Sequence, residues 1–351
     1  AGRVKGVTHM KHKRLILVAA VVMAVLVLAG CMPNQQSPTV SLTPAATVSP
    51  MPAEMLPLVP AAPAAPVPAG APKYVFLFIG DGMSFAQINA AQYFSGSDKP
   101  GDIRPGRLNF TQFAVAGIVD TYNETSAIPD SASSGTAIAC GVRTKTGMLG
   151  LAADGKSVPS VAELAHEAGK KVGIISSVTL NNATPAAFYA HSGSRTDYAG
   201  IAQQMADSGF EYFGGGGIYN KSEKDSISKD YGLFEDAGYA IADTRAEIEA
   251  LGGGSGKVYA VSPALAKLGA LPFAIDAKEG DMTLADFVSA GIRVLDSENG
   301  FFMMCEGGKI DWSCHANDAA TSVREVLAFA DAVQVAVDFA NAHPGETLIV
   351  V

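Results

Sequence analysis

Six consecutive apolar residues, Tyr74-Val75-Phe76-Leu77-Phe78-Ile79, run directly into Gly80-Asp81-Gly82. A run without polar alternation is what a strand shows when both of its faces are covered, which is the situation inside a parallel sheet packed between helices. Comparable runs recur at Lys171–Val178, Gly300–Cys305 and Thr347–Val351. Helical periodicity lies between them at Val158–Ala168 and Asp318–Ala342, where Val323, Val326, Leu327, Ala330, Val333 and Val337 share a face. Strands alternating with helices predict an α/β fold with a largely parallel central sheet flanked by helices on both faces. Glycine clusters at Gly214–Gly217 and Gly252–Gly254 bracket a more polar stretch, about 218–280, which reads as an inserted cap.

The chain ahead of the first strand reads differently. A basic cluster (Lys11, His12, Lys13, Arg14) precedes an apolar run from Leu15 to Ala29 and then Leu28-Ala29-Gly30-Cys31. This is the pattern of a bacterial lipoprotein signal over residues 1–31, with Cys31 the lipidation site; an uncleaved signal anchor is the alternative. Either places the bulk of the chain outside the cytoplasm. Residues 1–9 precede the expected start methionine. Residues 32–72 hold eleven of the nineteen prolines, and with Ala, Ser, Thr and Val they predict an extended linker. Residues 73–351 remain as the folded domain, and a 48% apolar content supplies its core. The formal charge of −9 argues against a nucleic-acid partner. An anionic small molecule could still bind where metal ions and an arginine reverse the local sign. Cys140, Cys305 and Cys314 show no paired spacing and are expected as free thiols.

Ligands of parallel α/β sheets gather beyond the carboxyl ends of the strands. Three segments there carry reactive chemistry. In Asp130-Ser131-Ala132-Ser133-Ser134-Gly135, a serine enters a run of small residues that predicts a helix start; it could attack phosphorus, or Asp130 and Ser131 could simply cap the helix. After Asn182-Ala183-Thr184-Pro185 come His191 and Arg195. A guanidinium can grip two phosphate oxygens, although Arg195 could equally be a surface partner of Asp197, and His191 a structural hydrogen-bonder. In Glu306-Gly307-Gly308-Lys309-Ile310-Asp311-Trp312-Ser313-Cys314-His315, Asp311 and His315 stand one helical turn apart and could address one ion, with Glu306 serving a neighbour; the plain alternative is an acidic turn into a helix.

Taken together and in order, these segments resemble the alkaline phosphatase family. The matching pieces are Phe-Ile-Gly-Asp-Gly-Met (78–83), Asp-Ser-Ala-Ser-Ser-Gly-Thr-Ala (130–137), Ala-Thr-Pro-Ala-Ala with Ala-His and Arg195, Phe-Gly-Gly-Gly-Gly (213–217), and Glu-Gly-Gly-Lys-Ile-Asp-Trp (306–312) with His315. The resemblance implies an extracytoplasmic phosphomonoesterase acting on small phosphate monoesters through a phosphoserine at Ser131. It implies two zinc ions and one magnesium. Arg195 would bind the phosphoryl oxygens and Asp130 would orient it. Asp81 would bridge zinc and magnesium, Thr184 and Glu306 would complete the magnesium site, and Asp311 and His315 would hold the other zinc. A homodimer and a membrane tether through Cys31 complete the expected partners. Asn182 and Trp312 depart from common family residues near the substrate: a neutral amide makes the third metal site less anionic, and the indole removes a charge that would act on phosphate through water.

In the family the strand resembling Thr347–Val351 leads into an Asp-His pair and a later histidine that complete the zinc sites. His166, His191 and His343 are not in motifs that replace them. The chain is therefore expected to be a C-terminally truncated member with impaired turnover. A phosphodiesterase or sulfatase of the same superfamily, and a non-catalytic metal- or phosphate-binding lipoprotein, are the competing readings.

Overall fold

The computed structural model describes residues 70–97, 101, 104–221, 227–228 and 231–351. The expected signal, Cys31 and nearly all of the linker lie outside these residues. The chain divides into a unit of residues 1–67 and a second unit, Pro68–Val351, to which the following description applies.

The strands of the second unit are β1 (Tyr74–Ile79), β2 (Lys171–Ser176), β3 (Tyr212–Gly215), β4 (Ile218–Tyr219), β5 (Ile227–Ser228), β6 (Tyr239–Ala242), β7 (Lys257–Val261), β8 (Phe301–Glu306) and β9 (Thr347–Val350). Seven of them form one sheet in the order β6-β7-β3-β2-β8-β1-β9, with every pairing parallel. Among the described strands, the short β4–β5 pair is antiparallel and stands apart from this sheet. The expected parallel α/β architecture is thus observed. Where the sequence suggests an inserted cap, β6 and β7 extend the main sheet. Their four and five residues are too short to announce a strand, and neighbours in the sheet supply the pairing that their own pattern does not.

The helices that matter for the site are α1 (Phe85–Gly96), α2 (Ser131–Cys140), α3 (Val161–Glu167), α4 (Ala183–Ala186), α5 (Leu284–Leu295), α6 (Lys309–His315) and α7 (Ala319–Ala342). Side chains alternate across each strand, so the two faces build two cores. On one face Phe76, Phe78, Phe301 and Met303 pack with Phe287 of α5 and Phe329 of α7. On the other, Ile174, Phe302 and Met304 meet Ala132 of α2, Phe188 and Phe213. Burying a phenylalanine of this kind contributes roughly 1.5–3 kcal/mol. Phe302 and Met304 are almost wholly covered on their side while Phe301 and Met303 are covered on the other, which explains the unbroken apolar run of β8.

Pairing fixes the floor of the site. Ile79 of β1 and Ser176 of β2 both stand in register with Glu306, the last residue of β8. Three strand ends therefore finish at one level, with β8 in the middle. At the end of β3 the backbone turns at Gly215, whose φ is +122°, and a Cβ there would run into the Ser176 carbonyl. Glycine is needed at that position for the chain to leave the sheet so close to β2.

Candidate active site

Ser131 is the first residue of α2, and Asp130 is its cap. The Asp130 carboxylate accepts from the Ser133 N–H (3.1 Å) and from its hydroxyl (2.8 Å), closing a reciprocal capping arrangement. Gly147 N–H donates to both carboxylate oxygens at 3.2 Å, and Arg195 Nη1 donates to Oδ2 at 3.2 Å. Burial works against the charged form of Asp130, yet these hydrogen bonds together outweigh it and hold its pKa below the usual carboxylate value. The cap reading and the arginine-orienting reading of Asp130 thus describe the same side chain.

Arg195 is held from several directions. Its Nη2 donates to Asn182 Oδ1 (3.3 Å), and its backbone N–H donates to the Gly147 carbonyl (2.7 Å). Asn182 Oδ1 also caps α4 through the Ala183 N–H at 2.7 Å. The alternative pairing of Arg195 with Asp197 is not what the fold adopts: Asp197 instead accepts from Gly200 N–H at the start of the helix Tyr198–Asp207.

The Ser131 hydroxyl donates to Asp81 Oδ2 at 2.9 Å. Burial raises the pKa of Asp81 to about 6, and the nearby Asp311 carboxylate adds to that rise against the opposing Ser131 hydrogen bond. Glu306 is 1% exposed. Its pKa is pushed up to about 8 by burial and by the charge of Asp81, against hydrogen bonds from Ser176 and Thr184. Asp311 is likewise raised by burial. Gly82, at φ +66°, lets these carboxylates crowd together, because a Cβ there would lie 3.0 Å from Asp311 Oδ1.

Asp311 and His315 lie one turn apart on α6, with Nε2 3.4 Å from Oδ1, and the His315 side chain is 81% exposed. Trp312 is half-buried between them in sequence, its ring 5.7 Å from the Lys309 ammonium. His191 stands apart from this group. Its ring nitrogens bond the Gly150 carbonyl (2.7 Å) and Glu163 Oε1 (2.9 Å), the structural role that the sequence leaves open. Ser176 and Gly147 escape sequence reading, since one ends a strand and the other lies in a turn. The motif that could have flagged Ser133 is the cap pattern itself, Asp130 followed three residues later by a hydroxyl.

Carboxylates that raise one another's pKa create a place where a cation would be stabilised. Asp81, Glu306 and the Thr184 hydroxyl form an oxygen-only donor set of the kind magnesium takes, with one or two carboxylates and water completing the shell. Zinc usually takes three or four protein ligands. Among the described residues, no three or more His, Cys, Asp or Glu side chains come together as a metal-binding cluster. The residues present fit magnesium and supply pairs of donors toward zinc.

The family model for alkaline phosphatase matches residues 72–351. The chain belongs to the alkaline phosphatase family. Alkaline phosphatase 4 of Bacillus subtilis is 33% identical over 279 residues, covering 76% of this chain and 58% of that protein. The chain therefore spans somewhat more than half the length of this relative. Among solved structures, alkaline phosphatase from the Antarctic bacterium TAB5 superposes with a TM-score of 0.69 at 31% identity, covering 80% of this chain and 78% of that one. The cold-active alkaline phosphatase of a psychrophilic Shewanella gives a TM-score of 0.69 at 28% identity, covering 79% and 66%. A variant of the TAB5 family member has been solved with magnesium bound in its M3 site. Cys140, Cys305 and Cys314 are free, as expected.

Proposed function

We propose that this chain carries the phosphoryl-transfer site of a phosphomonoesterase, with Ser131 as the group that accepts the phosphoryl. The observation that supports this reading is the hydrogen bond from Ser131 to Asp81, made at a helix N-terminus beside an arginine already fixed by Asp130 and Asn182. Arg195 would bind two phosphoryl oxygens while the N-terminus of α2 faces the same negative charge. Ser131 Oγ then forms a bond to phosphorus as the ester P–O bond breaks, and the leaving oxygen takes a proton from solvent and departs as the alcohol. The hydroxyl proton points at Asp81 Oδ2, the oxygen placed to hold it. Water attack on the phosphoserine releases inorganic phosphate and restores the hydroxyl. Such a reaction needs positioning and charge compensation more than covalent help from the protein.

Asp81, Thr184 and Glu306 would hold magnesium. Asp311 with His315, and Asp81 with Ser131, would each contribute to a zinc site. Bound cations supply charge neutralisation for the phosphoryl group and lower the pKa of hydroxyls that touch them. Asn182 and Trp312 would line the substrate side, leaving less charge there than an aspartate or lysine would. A homodimer is proposed on the family resemblance alone.

Hydrolysis of a chromogenic phosphate monoester with zinc and magnesium supplied tests the reading, with Ser131→Ala expected to abolish it. Faster cleavage of a diester or a sulfate ester would assign the chain to one of the competing chemistries. Binding of phosphate without any turnover would favour a non-catalytic binder. We also propose an extracytoplasmic location with lipidation at Cys31. Fatty-acid labelling lost in Cys31→Ser would support that, and unlabelled wild-type protein would contradict it. No described helix is long and apolar enough to cross a membrane.

A further inference from the structure

We propose that Asn123 is a positioning residue for Arg195, acting through Ser133 and Asp130; this rests on the reading of Arg195 as the phosphate-binding group. Asn123 is 6% exposed, although it lies in an irregular segment whose neighbours Tyr122 and Glu124 are exposed. Both ends of its side-chain amide are engaged. Its Nδ2 donates to Ser133 Oγ (2.9 Å) and Thr146 Oγ1 (3.0 Å). Its Oδ1 accepts from Thr125 N–H (2.8 Å), Thr125 Oγ1 (3.1 Å) and Ser126 N–H (2.7 Å), and its own N–H donates to the Ser126 carbonyl (3.0 Å). A buried amide with both ends engaged has one orientation available.

That orientation has a consequence at Ser133, ten positions along the chain. Ser133 has a single O–H proton, and with its oxygen accepting from Asn123 that proton is directed at Asp130, whose Oδ1 at 2.8 Å is nearer than its carbonyl at 3.1 Å. Oδ1 is thereby occupied, and Oδ2 is the oxygen that takes Arg195 Nη1. The second Nδ2 bond reaches Thr146, next to Gly147, whose N–H bonds Asp130 and whose carbonyl accepts from the Arg195 N–H. Asn123 therefore supports two of the three contacts that hold Arg195, the carboxylate that pairs with its guanidinium and the turn that carries its backbone bond, while Asn182 supplies the third. Hydrogen-bond networks of this kind lose more than one bond when a member is reversed.

Asn123→Asp keeps shape but turns the donor into an acceptor. It would draw the Ser133 proton away from Asp130. A double-mutant cycle with Arg195→Ala reads the coupling, using inorganic phosphate as the ligand in calorimetric titrations of the metal-supplied protein. Phosphate affinity is expected to fall roughly tenfold in Asn123→Asp and less than twofold when the same change is made in Arg195→Ala. Ser133→Ala, which removes the relaying hydroxyl and leaves Asn123 in place, should give the same split, and it serves if Asn123→Asp does not fold. Equal losses in both backgrounds, or no loss in either, would overturn the inference and leave the proposed function standing. Wild-type protein that fails to bind phosphate at all would overturn both.

Discussion

Ser131 Oγ donates to Asp81 Oδ2 at 2.9 Å although fifty residues separate them in sequence. One residue starts a helix on one side of the sheet, and the other follows the first strand. Their meeting depends on β1 lying beside β8 and on α2 packing against α4 over the strand ends. Everything else in the site is arranged around that bond, with carboxylates on the Asp81 side and the arginine on the Ser131 side.

Asp130 has two functions in one side chain, and substitution should separate them. Asp130→Ala removes the cap of α2 and is expected to cost about 1 kcal/mol in a denaturant titration. The same variant should also weaken phosphate binding, because Arg195 loses its charged partner. Asp130→Ser, which can still cap, should recover most of the stability and little of the phosphate affinity. Recovery of both together would show that the carboxylate acts only as a cap.

The close approach of Asp81 and Asp311 requires Gly82. Gly82→Ala places a methyl group against Asp311 and forces an L-residue to φ +66°. A loss of roughly 1–3 kcal/mol is expected, measured as a lowered unfolding midpoint. Magnesium or zinc should stabilise the variant less than it stabilises the wild type. Unchanged metal-dependent stabilisation would mean that the close approach of the two carboxylates plays no part in cation binding.

Glu163 and His191 make stability depend on pH in a defined window. The Glu163 hydrogen bond raises the His191 pKa. Burial alone would raise that of Glu163, but hydrogen bonds from His191 and Ser160 outweigh it and the pKa is lowered. The contribution from His191 is present below its unfolded value of 6.5 and disappears as pH rises through its folded pKa. That of Glu163 is present above its unfolded value of 4.5 and disappears as pH falls through its folded pKa. The pair should therefore stabilise most between those two values. Glu163→Gln should flatten the midpoint-versus-pH curve there by about 1 kcal/mol. A curve parallel to that of the wild type would contradict this account.

Lys309 and Glu325 are buried groups of opposite charge near enough to act on each other electrostatically. Lys309 is 2% exposed and donates to the Leu271 carbonyl at 2.7 Å, and burial depresses its pKa to about 8. Glu325 accepts from Ala274 N–H at 2.7 Å, and burial raises its pKa. Lys309→Met, which leaves the carboxylate without its nearby cation, should cost on the order of 3 kcal/mol. Adding Glu325→Gln should restore part of that loss. Strictly additive destabilisation by the two changes would show that the groups do not interact.

The strands were legible where burial on both faces left nothing but apolar residues, as in β1 and β8. They were hidden where neighbours supply what local sequence lacks. β3 ends in two glycines, Gly214 packed against the Tyr212 ring and Gly215 against the Ser176 backbone of β2, and a strand of only four residues with such an end has no apolar run to announce it. The clustering of Asp81, Ser131, Thr184, Arg195, Glu306 and Asp311 could be anticipated through ordered motifs. The bonds that orient them could not: Ser176 reaches Glu306 across 130 positions, and Asn123 reaches Ser133 from an irregular segment with no period to read. His191 shows the reverse case. Its motif is prominent in sequence, yet its ring is spent on Glu163 and a carbonyl.

The central claim is that Ser131 receives the phosphoryl group, and isotopic labelling tests it most directly. Protein supplied with zinc and magnesium is incubated with a monoester carrying labelled phosphorus, quenched in acid and mapped by peptide mass spectrometry. Label is expected on Ser131 in the wild type, absent from Ser131→Ala, and much reduced in Arg195→Ala. Label on another residue, or turnover that persists undiminished in Ser131→Ala, would contradict the account.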